Sequence, residues 1–311
     1  MSIRPYQPGD ETAQVGIYNE AAADQPKFKP ATLDEVRRRC HAKDFEAGTR
    51  FYAVEGGRPV AYATFQSNGR VSFPWCRKGH ERWAEPLLEH VLQAMRARGL
   101  TRAYAAYRAD WPAVRDFFLA HGFVQTREML NFFVDLIEMP TPAARPGTTF
   151  SPLTRDDLPV LLSAAPDVLR VGLEELDRAL LRNPYFPPES LFALRSRDDG
   201  QVRAAGIVIA NTAYANPKLL DAMMPCFRLG AFGTEGMTHK RINGMFSFVV
   251  AEPRDVNRLG LDLLGQAAYR LQDTAVETFA AQVASDVPYL VRFYQQYFRL
   301  QGRFTLFERT L

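Results

Sequence analysis

The sequence predicts a mixed α/β chain built as two copies of one domain in tandem, on three observations. Short runs rich in Val, Phe, Tyr and Ala alternate with segments whose apolar residues recur at helical spacing. A stretch of the first half returns in the second at a constant offset of 176 residues, without a gap: Arg82 meets Arg258, Leu87-Leu88 meets Leu263-Leu264, Asp110 meets Asp286, Pro112 meets Pro288 and Phe117 meets Phe293. A proline-rich segment at 138–149, poor in apolar residues, separates the copies and reads as a linker. Two unrelated segments seldom keep a helix, a strand and a second helix in step, so the echo is read as an internal repeat. The domains are expected at 1–137 and 150–311.

In the first copy, Ile3-Arg4-Pro5-Tyr6 predicts a short edge strand, because proline has no N–H for a second neighbour. A helix follows from Asp10 through Val15, Ile17 and Tyr18 to Ala23. Thr32 and Glu35, three apart, form a capping box that opens a second helix through Val36 and Cys40. Residues 51–54 and 60–65, joined across Gly56-Gly57, predict a hairpin. Val71 to Trp75 is a further strand, and a helix with Leu87, Leu88, Val91, Leu92 and Met95 on one face runs to Gly99. Ala103, Ala105 and Tyr107 alternate as a strand. Asp110 is the expected cap of a helix through Val114, Phe117 and Phe118, and β-rich sequence runs from Gly122-Phe123 to near Leu136.

The second copy begins again with Phe150-Ser151-Pro152-Leu153, two helical stretches, a strand at Leu191 to Arg195, a turn at Asp198-Asp199-Gly200 and a strand at Ala204 to Ala210. Met245 to Ala251 is a short apolar run that stops at Glu252-Pro253 and reads as a buried strand. From Val256 the apolar residues Leu259, Leu263, Leu264, Ala267 and Leu271 take up helical spacing. The offset between copies is 147 at their starts and 176 later, so the second copy has gained residues, at 211–240. Long loops inside compact domains are often functional.

Composition narrows the function classes. The chain is 47% hydrophobic and 23% charged, which is globular, and the net charge of +3 is dispersed without like-charge runs, so no nucleic-acid partner is expected. Residues 1–10 lack the pattern of a secretory leader and no stretch has the apolar length of a membrane span, so a cytoplasmic protein without a membrane partner is expected. Cys40, Cys76 and Cys226 are odd in number and far apart, and no histidine pair has ligand spacing, so neither a disulfide framework nor a metal site is expected. A monomer or homodimer is expected.

The stretch from Arg241 to Gln272 carries the chemistry. A strand that feeds a helix through a short turn leaves the first helical N–H groups unpaired, and those groups accept an anion. The element order of each copy, strand, two helices, hairpin, strand, helix, strand, helix and a final β pair, resembles that of the GNAT acyltransferase superfamily, over nearly the whole chain. The family's turn of the form Arg/Gln-x-x-Gly-x-Gly/Ala corresponds here to Asp255-Val256-Asn257-Arg258-Leu259-Gly260, with Arg258 in place of the middle glycine, and to Gly79-His80-Glu81-Arg82-Trp83-Ala84 in the first copy.

The resemblance implies acetyl-coenzyme A as cosubstrate and transfer of its acetyl group to a primary amine of a small molecule by direct attack, with no metal. Val256, Asn257, Arg258, Leu259 and Gly260 would hold its pyrophosphate, as Arg82, Trp83 and Ala84 would in the first copy, and Val249, Val250 and Ala251 would meet its pantetheine. Tyr294 stands where the family places the phenol that protonates the leaving thiolate, whereas the first copy has Phe118; the second copy is therefore the expected catalytic one and the first a degenerate partner. Glu252 is the expected base, with Glu235 and His239 as alternatives. A non-catalytic acyl-coenzyme-A-binding module and a Fem-type aminoacyl transferase are the competing readings.

Overall fold

Strand pairing in the computed structural model, which describes residues 2–41, 45–139, 147–183, 186, 188–210, 242–271 and 277–311, divides the chain into two units. They are Met1–Glu128 with Arg303–Leu311, and Met129–Gly302. In the first, β1 (Ser2–Pro5), β2 (Arg50–Glu55), β3 (Arg58–Thr64) and β4 (Trp75–Cys76) form an antiparallel sheet in that order, with the proline-bearing β1 at its edge. The hairpin turns through Gly56 and Gly57 at φ of 54° and 77°, a left-handed pair that favours glycine. Alternation sorts the side chains: Phe51 sets its ring 4.6 Å from His90 of α3 (Ala84–Ala97), whereas the Tyr52 hydroxyl donates to Gln14 of α1 (Asp10–Ala21) at 2.8 Å. α2 (Leu33–Cys40) starts at the Thr32–Glu35 capping box, with both reciprocal bonds formed.

The strand expected at Val71 to Trp75 is cut to two residues. The Ser72 hydroxyl takes the Thr64 N–H at 2.8 Å in place of a ladder carbonyl, and Pro74 has no N–H to offer. A parallel bridge links Arg70 to Tyr104 of β5 (Arg102–Arg108). Asp110 does not cap α4 (Pro112–Ala120): its carboxylate is held by Arg108 through two bonds of 2.9 Å, and Trp111 stands at the cap. Trp111 has φ −110°, ψ 77°, and Val287, before α8 (Pro288–Tyr297), has φ −115°, ψ 75°. Proline restricts the residue before it, and the two helix starts 176 residues apart share that geometry.

The second unit orders its strands β7 (Thr148–Pro152), β8 (Leu191–Ser196), β9 (Val202–Ala210), β10 (Ile242–Val250), β11 (Thr278–Ala284) and then residues 129–135 of β6 (Val124–Asp135). Every pair is antiparallel except β10 with β11. α5 (Leu158–Ala164) and α6 (Leu173–Leu180) share a buried cluster with Val249, and α7 (Val256–Leu271) and α8 share another with Phe246, Phe248 and Val250. The insertion at 211–240, with Glu235 and His239, lies outside the described residues.

The unit boundary does not follow the proline-rich segment. β6 ends the first copy but pairs its residues 129–135 with β11, and β12 (Arg299–Thr310) ends the second copy but lays residues 304–310 along β5. Each copy has given its last strand to the other. β5 and β11 would otherwise present open edges, and each receives its partner from the other half of the sequence. Phe307 of β12 is fully buried and stacks at 5.6 Å on Phe118, which also stacks with Tyr107 at 5.8 Å. Replacing Phe307 with Ala should therefore cost about 3–5 kcal/mol in the first unit. Denaturant melts read by tryptophan fluorescence check this, since Trp75, Trp83 and Trp111 all lie in that unit; an unchanged midpoint would show that β12 is dispensable there.

Candidate functional site

The second unit's central strands pair only at their beginnings. β10 and β11 pair from Ile242↔Thr278 to Met245↔Ala280, with a register shift between Ile242 and Gly244; beyond that β10 continues on β9 alone and β11 on β6 alone. Ala251 donates its N–H to the Arg203 carbonyl at 2.8 Å. By the alternation of an antiparallel ladder, Val249 and Ser247 also face β9, and Phe246, Phe248 and Val250 turn their main-chain groups toward β11, into the gap. Of the three residues expected to meet pantetheine, only Val250 faces the gap. Val249 and Ala251 are spent on the ladder, a matter of register parity, whereas Phe246 and Phe248 share the facing of Val250.

Tyr294 lies beside this gap. It is 1% exposed, stacks at 5.6 Å on Phe132 and meets Phe246, Phe248, Phe293 and Phe298 edge-on. Its phenol oxygen accepts the Phe248 N–H. Burial drives its pKa far above the ordinary tyrosine value, and the Phe248 bond opposes this without reversing it. The first unit meets the same need with another residue: there the Phe73 N–H donates to the Tyr107 hydroxyl oxygen at 2.6 Å, and the repeat partner of Tyr294 is Phe118.

Pro253–Asp255 makes a short 3-10 turn between β10 and α7. At the start of α7, Val256 and Leu259 point into the core, while Asn257 and Arg258 are exposed and Arg258 pairs with Asp255 at 3.3 Å. Gly260 has a packing role. A Cβ there would sit 2.6 Å from the Phe293 ring and 2.7 Å from that of Phe248, so only glycine lets the helix approach β10. Glu252 and Arg258 line a cavity of about 240 Å³ with Ser196, Arg203, Arg254 and Asp255. Three guanidinium groups line it at a helix N-terminus, where Arg203 is paired with Asp199 at 2.7 Å and Arg258 with Asp255. Tyr294 is not among the residues lining it, so Glu252 and Tyr294 are not brought to one cavity. Arg203 and Arg254 were not singled out by sequence; Arg203 arrives through the β9–β10 ladder, which motif spacing does not reveal.

The equivalent turn of the first unit is closed by its own acids. Lys78 donates its N–H to Glu20 and Gly79 its N–H to Glu81, both at 3.0 Å. Glu55 accepts from the Arg82 guanidinium and from the Trp83 indole N–H. The pKa of Glu55 is lowered chiefly by the Trp83 bond, and that of Glu81 by main-chain N–H groups, so both stay charged at neutral pH. Arg82, Trp83 and Ala84 thus sit beside a turn whose donors already hold carboxylates; a second anion would meet their repulsion. Among the described residues no group of three His, Cys, Asp or Glu can hold a metal ion, and no helix is long and apolar enough to cross a membrane.

No protein-family model matches the sequence, and no curated protein matches it. Solved structures do. The chain is similar to a GCN5-related N-acetyltransferase from Sphaerobacter thermophilus, at 16% identity over 99% of this chain and 95% of that one, with a TM-score of 0.65. It is similar to a tandem GNAT protein from the clavulanic acid biosynthesis pathway, at 16% identity over 99% and 98%, with a TM-score of 0.54. It is also similar to a GCN5-related glucosamine N-acetyltransferase region of a fungal multi-domain GH3 beta-N-acetylglucosaminidase, at 13% identity and a TM-score of 0.65, where it covers 99% of this chain but 38% of that one. The tandem acyltransferase architecture that the sequence resembles is the architecture of the structure.

Two outcomes test this geometry. Gly260→Ala should lower stability by about 1–3 kcal/mol through the clash with Phe248 and Phe293, read from urea midpoints; an unchanged midpoint would place the helix farther from β10. Tyr62, Tyr107 and Tyr294 have pKa values raised by burial. Their phenols stay protonated in the folded chain, whereas unfolded tyrosine ionises near pH 10. Stability from these groups is therefore complete below about pH 10 and falls as pH rises from there toward the folded values. Urea melts between pH 8 and 11 should show that loss, and a stability flat to pH 11 would contradict it.

Proposed function

We propose that this chain, built on the tandem GNAT acyltransferase fold, is an acyl-coenzyme-A-dependent N-acyltransferase whose second unit carries the chemistry. The observation that supports this most is the gap between β10 and β11, into which Phe246, Phe248 and Val250 turn main-chain groups and beside which the Tyr294 hydroxyl lies. The first unit is a poorer cosubstrate site because Glu20 and Glu81 already take the donors of its turn. In the second, Arg254 and Arg258 stand with Arg203 around the cavity at the start of α7 and would meet phosphate charge.

Acetyl-coenzyme A, when bound, supplies an acyl group on a thiolate leaving group, and a small-molecule primary amine is the proposed acceptor. The amine nitrogen forms a bond to the acyl carbon as the carbon–sulfur bond breaks. Val250, directed into the gap, is the proposed donor to the carbonyl oxygen as that oxygen gains charge. Tyr294 gives its proton to the departing sulfur and regains one from solvent. Its high pKa keeps the phenol protonated at neutral pH, so the transfer must accompany bond cleavage to be favourable. Glu252, two residues beyond Val250 and exposed, is the proposed acceptor of the amine proton through water.

The test is thiol release from acetyl-coenzyme A with a panel of small amines. Tyr294→Phe should lower kcat on the order of 10² while KM for the thioester changes little, and should cost about 1–3 kcal/mol in stability by orphaning the Phe248 N–H. Thiol release unaffected by the substitution at any pH would remove Tyr294 from the mechanism. Binding of acetyl-coenzyme A without thiol release for any amine would favour a binding module over an enzyme.

A further inference from the structure

Antiparallel pairing of β6 with β11 gives this part of the second unit's sheet two chemically different faces. Leu130 and Phe132 of β6, with Ala281 and Val283 of β11, join Tyr294 in one buried cluster. Alternation sends the residues between them to the opposite face, where Asn131 stands across from Gln282. The Gln282 Nε2 group donates to Asn131 Oδ1 at 2.8 Å. Asn131 is 5% exposed, yet its Nδ2 donor has no partner among the described residues, and neither does the Gln282 carbonyl oxygen. These two atoms are not sealed in: the buried side-chain atoms without a partner, among the described residues, are His80 Nδ1 and Asp177 Oδ2. One amide–amide bond therefore leaves a donor and an acceptor side by side, open to an incoming group.

The pair stands at the gap. β11 has lost β10 beyond Ala280, so Gln282 lies on the open lip of its strand. Phe132, next to Asn131, stacks at 5.6 Å on Tyr294 from the other face. The amides and the phenol thus share one level of the sheet on opposite sides of it. Met129, Phe133, Ala280 and Ala284, which flank the amides on their face, carry no charge, and the two alanines leave room above β11. The charged groups beyond them are matched. Asp135 accepts from the Thr278 hydroxyl at 2.9 Å and pairs with Arg299 at 3.9 Å, and Arg299, 6.0 Å over the Phe133 ring, is also held by Glu138. A carboxylate brought to the amides would meet the Gln282 carbonyl oxygen, and an ammonium would meet the Asn131 N–H. An uncharged group with both a donor and an acceptor satisfies the two.

We propose that Asn131 and Gln282 hold the acceptor of the transfer and select an amine whose body carries an uncharged group that both donates and accepts, a carboxamide being the simplest. Asn131 donates to the carboxamide oxygen and Gln282 accepts from its N–H, so that the amine reaches the acyl carbon from the face opposite Tyr294. The step is the one described above: the nitrogen–carbon bond forms, the carbon–sulfur bond breaks, the sulfur takes the Tyr294 proton, and the amine proton leaves through water to Glu252. The proposal rests on the transferase reading, and its test separates the two.

Thiol release from acetyl-coenzyme A is measured with amines of similar size: glycinamide, glycine, 1,2-diaminoethane and propylamine, with rates compared per concentration of neutral amine. The kcat/KM for glycinamide should exceed each of the others by about tenfold, as two hydrogen bonds supply. Gln282→Leu should remove that preference while sparing propylamine. Gln282→Glu, which puts a carboxylate at the acceptor position, should move the preference to the diamine. A merely structural role would slow all the amines alike. Equal rates for the amines in the unsubstituted chain, or an unchanged glycinamide preference in both variants, would overturn the proposal. Where no amine releases thiol, the transferase reading fails by itself, and calorimetric titration of the full chain with N-acetylglycinamide reads the amide site without the reaction. Saturable binding that Gln282→Leu abolishes supports the site; absence of binding overturns it too.

Discussion

A parallel strand pair that separates leaves main-chain donors and acceptors without a ladder, and the second unit depends on how that debt is settled at Phe248. The Phe248 N–H goes to the Tyr294 phenol. For the oxygen to reach, α8 must press a tyrosine ring into the sheet, and Phe132, Phe246, Phe293 and Phe298 close around it. For α7 to lie alongside without striking Phe248 and Phe293, its fifth residue must be glycine. A tyrosine on one helix, a glycine on another and phenylalanine at alternate positions of β10 thus meet at one point. Buried main-chain groups are seldom left unpaired, and here the pairing group is also the proposed proton donor.

The first copy answered the same constraint by a different route, and the difference bears on the proposed division of labour. Its phenol comes from β5, as Tyr107, so the helix position is released to Phe118, which packs between Tyr107 and Phe307. The need for an N–H acceptor is retained where the proposed chemistry is not. At the turns the copies differ in what meets the main chain: Glu20 and Glu81 take N–H donors of one, whereas Arg254 and Arg258 stand with Glu252 and Asp255 beside the other. A worn glycine motif reads alike in both sequences, because what separates them is contributed by residues distant in the chain.

That limit recurs wherever the sequence was silent. Features encoded within a few residues were legible: the Thr32–Glu35 box, the Gly56-Gly57 hairpin, the helix from Val256, and the repeat itself, because each is local or periodic. Asp110 looked like a helix cap by position, but Arg108, two residues away, captured its carboxylate. The facing of Val249 and Ala251 turned on ladder parity, which a shift of one residue would invert. Gly260 looked like an anion turn and is a packing glycine, since the rings above it come from β10 and α8. For β10 and Gly260 the deciding partner lies outside the window that a motif covers.

Strand exchange shows the same thing at the scale of the chain and alters what a domain means here. The 176-residue echo locates two copies, but a copy is not a folding unit: β11 takes its outer neighbour from residues 129–135, and β5 takes its neighbour from residues 304–310. Phe132, which stacks on Tyr294, belongs to the first half of the sequence. A fragment beginning at residue 150 would retain the whole second copy yet lack that ring, exposing the edge of β11 and one face of the proposed proton donor. The proposed site therefore requires the whole chain even if the first copy binds no coenzyme A.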